Sequence, residues 1–98
     1  MNEIKLIKND TGIGYRATLS NEDGPVDLTD ADVLFIFSGH EIRPIKEGLG
    51  KVLLVFEKVH TVKTGVYIAS FKVRFKDGRL ETFPGANEPG IKVRIKER

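Results

Sequence analysis

Val66-Tyr67-Ile68-Ala69-Ser70-Phe71-Lys72-Val73-Arg74-Phe75 is the longest strand signal in this 98-residue chain. Tyr67, Ala69, Phe71, Val73 and Phe75 fall on one face of a two-residue period. Ser70, Lys72 and Arg74 fall on the other, as on a pleated strand with one side against a core. Lys76-Asp77-Gly78-Arg79 follows, with Asp-Gly set between alternating runs. That dipeptide predicts a tight hairpin with a type I′ turn. Residues 80–83 form the return strand, stopped by Pro84-Gly85.

The rest of the chain repeats the pattern at roughly ten-residue spacing. Residues 4–8 open it, and Tyr15, Ala17 and Leu19 alternate with Arg16, Thr18 and Ser20. Asn21-Glu22-Asp23-Gly24-Pro25 is a turn, after which Val26 and Leu28 lie in a short extended piece. Residues 33–38 and 51–56 are apolar on both faces, which predicts strands covered on both sides or placed at a subunit contact. Residues 39–50 read as a loop with Pro44 and three glycines, and residues 57–65 as a second long connection. A turn-rich stretch at 86–90 leads into Ile91, Val93 and Ile95, alternating with Lys92, Arg94 and Lys96. No segment carries helical periodicity. Seven or eight strands without a helix predict one all-β domain over residues 1–98, a sandwich or a barrel.

Thr64-Gly65-Val66-Tyr67-Ile68-Ala69 favours an immunoglobulin-like β-sandwich of antiparallel strands. In a tyrosine corner, a Tyr near the start of a late strand hydrogen-bonds back to the backbone, two residues before a core position. Ala69 stands at that position here. The alternative reading makes Tyr67 an inward core aromatic and nothing more.

Composition narrows the function. Hydrophobic residues make up 40% of the chain and charged residues 31%, the balance of a globular domain rather than a disordered one. There is no cysteine, which excludes disulfides and thiolate metal sites. Residues 1–5 lack the basic-then-apolar pattern of a signal peptide, and the longest apolar runs are five residues, far short of a membrane span. These features predict synthesis and folding in the cytoplasm. Net charge is +2 but uneven: −4 over residues 1–50 and +6 over residues 51–98. Such asymmetry marks a binding face or head-to-tail packing of copies, unless the two halves interleave and cancel.

No catalytic centre emerges. Gly12-Ile13-Gly14 precedes a strand, not the helix a phosphate loop requires. Gly48-Leu49-Gly50-Lys51 has Val52 where a Walker loop needs Ser or Thr. His40 and His60 sit in separate loop regions and would need carboxylate help to hold zinc. Asp23, Asp27, Asp30 and Asp32 lack the spacing of an EF-hand, and Asp27 and Asp30 suit turns. Ser20, Ser38 and Ser70 have no nucleophile elbow or evident base. Lys72, Arg74 and Lys76 on one strand, with Lys92, Arg94 and Lys96 on another, make either a cationic stripe able to track phosphates or a solvated outer face. Phe71 and Phe75 point to the opposite face from those cations, which disfavours stacking of single-stranded bases.

Taken together, several stretches resemble the N-terminal domain of the baseplate upper proteins of phages that infect Gram-positive bacteria. Asp23-Gly24-Pro25-Val26-Asp27-Leu28-Thr29-Asp30-Ala31-Asp32-Val33 is similar to that family's D-G-x-P-V-D-L-T-G-A-x-V run. Gly65–Val73 resembles its G-x-Y-x-A-E-F-x-V strand, and Asp77-Gly78-Arg79-Leu80-Glu81-Thr82-Phe83-Pro84 its D-G-x-x-x-T-F-P. The likeness spans roughly residues 12–95, although Asp30 stands where that family has Gly, and its following helical linker is absent. The resemblance implies an immunoglobulin-like structural adaptor in a phage or prophage baseplate. It would act without catalysis or cofactor, in the virion, through other tail or baseplate proteins or its own copies. Two alternatives are weighed against it. A carbohydrate-binding sandwich needs exposed aromatics, whereas there is no Trp, and Tyr15 and Tyr67 read as inward-facing. A nucleic-acid-binding barrel would use the two basic strands.

Overall fold

The computed structural model describes residues 3–85 and 90–97. In chain order the strands are β1 (Glu3–Ile7), β2 (Ile13–Thr18), β3 (Ser20–Asn21), β4 (Gly24–Pro25), β5 (Asp32–Phe37), β6 (His40–Ile42), β7 (Ile45–Gly48), β8 (Lys51–Phe56), β9 (Gly65–Arg74), β10 (Leu80–Phe83) and β11 (Ile91–Lys96). A single helical turn, α1 (Lys58–Thr61), lies between β8 and β9. Of the turn-rich stretch expected at 86–90, residues 86–89 lie outside the described residues.

Six strands form one sheet in the order β1-β11-β9-β5-β6, with β10 also on β9; β2-β8-β7 form the facing sheet, and β3-β4 a small hairpin. The ten-residue β9 organises the first sheet. One edge pairs with β5 over residues 69–74, and the other pairs with β11 over 65–69 and then β10 over 71–74. The chain crosses between sheets from β1 to β2, from β2 to β5, from β6 to β7 and from β8 to β9, which is the Greek-key path of an immunoglobulin-like sandwich. One pairing departs from the antiparallel expectation: β1 runs parallel to β11, with Ile4 opposite Val93 and Leu6 opposite Ile95.

The core is aromatic. Phe35, Phe37, Phe56 and Phe71 are fully buried. The Phe35 ring lies 4.8 Å from Phe71 in its own sheet and 6.1 Å, edge-on, from Phe56 in the facing one. Each such ring withdrawn from water contributes about 2–3 kcal/mol, and their tilted contacts fix the two sheets' register. Tyr67 unites the two readings of its position. Its ring packs against the core, while its hydroxyl donates to the carbonyls of Lys63 at 2.9 Å and Thr64 at 3.0 Å. That is the tyrosine corner, with Ala69 buried two residues on.

Four local expectations are corrected. Asp77-Gly78 is not a type I′ turn, because that turn needs positive φ at both residues and only Gly78 has it, at 92°. The loop instead closes over three residues, with Phe75 N donating to Arg79 O and Gly78 N to Phe75 O. A two-residue hairpin with both residues at positive φ occurs at Ser38 (49°) and Gly39 (78°), joining Phe37 to His40. It starts β6 inside what reads as a loop from 39 to 50, and β7 follows in the same stretch. Residues 57–65 hold α1, where no helix was expected. Lastly, β5 and β8 are not covered on both sides. Val33, Phe35, Phe37, Val52, Leu54 and Phe56 are buried, but Leu34, Ile36, Leu53 and Val55 are only half-buried. A two-layer sandwich has no third layer to cover them, so their apolar side chains reach the outer faces.

Candidate binding surface

The outer face of the six-stranded sheet follows from strand parity. On β9 the outward residues are Val66, Ile68, Ser70, Lys72 and Arg74. Beside them stand Leu34 and Ile36 of β5, and Leu80 and Thr82 of β10. Val66 is 50% exposed, Ile68 64% and Leu80 69%. Val66, Ile68, Ile36 and Leu34 therefore form an aliphatic strip on a solvent-facing sheet, with Leu80 set apart from it beyond Lys72 and Arg74.

The rim of that strip is basic. Lys92 lies opposite Ile68 and Arg94 opposite Val66. Lys5 pairs with Arg94 one strand further out, and Lys96 ends the row. On the far side Lys72 stands between Leu34 and Thr82, and Arg74 between Asp32 and Leu80. Three carboxylates reduce this charge, one of them the exposed Glu41 opposite Ile36. Glu3 accepts a hydrogen bond from Arg94 Nε, which holds its carboxyl below the usual range. Asp32 pairs with Arg43 at 3.0 Å. Lys5, Lys72, Lys92 and Lys96 are exposed, so the positive rim persists in the fold. The charge asymmetry of the sequence is thus only partly cancelled. The two basic triplets share a face but form no continuous stripe: Val66, Ile68 and Ser70 separate them, and Lys76 sits in the hairpin turn.

A second feature lies on the side of the sandwich. Among the described residues β2 pairs with β8 alone. Its odd-numbered residues bond to β8, as Leu19 N does to Gly50 O at 2.7 Å, so the main chain of Gly14, Arg16 and Thr18 faces the open edge. Beside that edge is a cleft of about 420 Å³, lined by Tyr15, Ala17, Leu19, Phe71, Phe83 and Ile91 together with the polar Arg16, Thr18 and Ser20. Partial burial here raises the Tyr15 phenol above its ordinary pKa.

The other sequence candidates disperse. His40 and His60, remote in sequence, come together with ring centroids 5.2 Å apart. His60 Nδ1 accepts the Glu57 N–H at 2.9 Å, so that nitrogen is engaged within the α1 cap. Burial, then the neighbouring His40, lowers the His60 pKa. Asp27 Oδ1 accepts the Thr29 N–H, which lowers its pKa and makes it a turn residue, and Asp77 does the same for Arg79. Among the described residues no three His, Cys, Asp or Glu side chains gather as a metal site. Gly12 and Gly14 belong to the β2 entry, and Leu49-Gly50 turns β7 into β8. Ser20 lies in β3, Ser38 in a hairpin turn and Ser70 on the outer face opposite Ile36. No described helix is long and apolar enough to cross a membrane.

The exposed aliphatic strip has a sequence signal. Five apolar residues in a row at 33–37 overfill a one-sided strand; the like run at 52–56 reaches the outer face of the other sheet. The open edge of β2 has none, because pairing partners are not written in a strand's own residues.

Comparison with known proteins returns a fold. No protein-family model matches the chain, and no curated protein matches it. Among solved structures it is similar to CopC from Methylosinus trichosporium OB3b, with a TM-score of 0.53 over 100% of this chain and 87% of that one, at 10% identity. At that identity the likeness is one of fold alone. The baseplate-adaptor function expected from the sequence is corrected here, since the solved structure it resembles is CopC and not a phage baseplate protein. The physical reason is plain in the structure. Gly24 and Gly78 hold positive φ in turns, Leu28 and Val33 are core, and Pro84 follows the end of β10. The residues that carried the resemblance build a sandwich and assign it no task.

Proposed function

We propose that this domain is a non-catalytic protein-binding module that docks through the outer face of its six-stranded sheet. The partner is a protein surface with an aliphatic centre and a carboxylate rim. One observation carries the reading: Val66 and Ile68, 50% and 64% exposed, lie on a face where the exposed cations Lys5, Lys72, Arg74, Lys92 and Lys96 outnumber the carboxylates Glu3, Asp32 and Glu41. Desolvated aliphatic side chains supply binding energy, and rim charges supply orientation and association rate. The same rim argues against a second copy stacked face to face, because it would set lysine against lysine. It argues against stacked bases too, because the face carries no aromatic side chain.

The test is affinity capture from an extract of the source cells on the immobilised domain, with every protein recovered identified by mass spectrometry. The expected partner is acidic, is released by high salt, and is lost with Ile68→Glu and with the pair Lys72→Glu, Lys92→Glu. Captured proteins that bind all three baits equally overturn the proposal.

A further inference from the structure

We infer that the open edge of β2 is a strand-acceptor site for an extended polypeptide segment alternating apolar with acidic side chains. This site is separate from the outer face proposed above, on the side of the sandwich rather than across the sheet.

The argument starts from the main chain. Gly14, Arg16 and Thr18 present N–H and C=O groups along one line, two residues apart, with no strand bonded to them among the described residues. An extended chain meets donors and acceptors at that spacing, because a strand has the same period. The β1 segment pairs with β11 in the other sheet and leaves this edge open.

The cleft supplies the second half of the recognition. A strand added beside β2 would project alternate side chains inward and outward. The inward ones would enter the cleft against the apolar Phe71, Phe83 and Ile91. The outward ones would lie beside Arg16, whose side chain is 74% exposed, and near Lys51, which stands opposite Thr18. Glu47 offsets one of these two cations, through Arg16 at 3.0 Å. A net positive outer side and an apolar inner side fit alternating carboxylate and aliphatic residues. A second copy of β2 fits poorly: antiparallel pairing about its centre sets Arg16 against Arg16, and like charges directly opposite are destabilising.

The probe is a seven-residue peptide alternating Glu and Val, blocked at both ends. The control has the same composition in block order. Binding to the full chain is followed by amide hydrogen exchange and by titration. The expected result is slowed exchange at Gly14, Arg16 and Thr18 with the alternating peptide and none with the block peptide. Thr18→Pro removes one outward N–H without touching the β8 ladder or Arg16, and should weaken binding about fivefold, the equivalent of one net hydrogen bond. Arg16→Pro, which removes an outward N–H and the guanidinium together, should weaken it further and serves if Thr18→Pro does not fold. Ile68→Glu should leave peptide binding unchanged, which separates this site from the outer face. No binding of the alternating peptide, or binding without protection at these three amides, overturns the inference.

Discussion

The imidazole rings of His40 and His60 meet edge to face, their centroids 5.2 Å apart, beside the buried ring of Phe37. His60 takes the Glu57 N–H on Nδ1, and that acceptor disappears if the nitrogen is protonated. Burial and His40 both lower the His60 pKa below its ordinary 6.5, while Glu57 opposes the change. A base whose folded pKa is depressed adds stability above its unfolded pKa, and that stability is lost as pH falls through the folded value. The melting temperature should therefore drop between pH 7 and pH 5. In His60→Gln, which keeps an acceptor but cannot titrate, the drop should be smaller. Thermal melts at half-unit pH steps measure it; equal slopes for the two proteins would refute the coupling.

Tyr67 should carry a separable part of the stability. Its ring packs on the core, and its hydroxyl reaches back to the carbonyls of Lys63 and Thr64. Tyr67→Phe removes only the hydroxyl. The expected loss is about 1 kcal/mol, or about 4–8 °C in melting temperature for a domain of this size. Denaturant unfolding with an unchanged slope is the appropriate readout.

How much of this was legible in the sequence depends on what each feature requires. The faces of β9 and β11 were readable because a period of two is local. The tyrosine corner was readable because Tyr, its spacing to Ala69 and the preceding Gly65 lie within five residues of one another. The His40–His60 contact was not, since it depends on where β6 and α1 pack. The two-residue hairpin was misplaced for a similar reason. Asp77-Gly78 has the composition for it, yet β10 pairs with β9 in a register that leaves three residues in the loop, and Ser38-Gly39 takes the tight turn instead. The outer aliphatic face was half visible, as excess hydrophobicity in β5. Which sheet would leave it uncovered was decided by topology.

Phe35 should be the most costly of the core rings to lose. It contacts Phe37, Phe56 and Phe71, bridging neighbouring strands and the facing sheet. It is fully buried. Phe35→Ala should destabilise the domain by about 3–5 kcal/mol. Ile68→Ser, on the open face, should change stability by no more than about 0.5 kcal/mol. Equilibrium unfolding of the two variants side by side gives the contrast, and a large loss in Ile68→Ser would mean that the strip serves the fold rather than a partner.

Two glycines with the same backbone sign should respond very differently to a methyl group. Gly78 sits at φ 92° with open space where a Cβ would lie, so Gly78→Ala meets only the conformational cost of the left-handed region. That cost is about 1–2 kcal/mol. Gly50 sits at φ 69°, and there a Cβ would lie 2.6 Å from the Leu19 carbonyl oxygen and 3.2 Å from Val26 N. Those are backbone atoms already joined to each other and to Gly50 by the hydrogen bonds Leu19 N to Gly50 O and Val26 N to Leu19 O. They cannot withdraw without opening the junction where β2, β4 and β8 meet. Gly50→Ala should therefore cost clearly more than Gly78→Ala, and its damage should be local first. Amide exchange at Leu19 and Val26 should speed up in Gly50→Ala under conditions where the β9 amides remain protected. Equal destabilisation by the two alanines would show that the junction yields easily, and would remove the reason for a glycine between β7 and β8 beyond the turn itself.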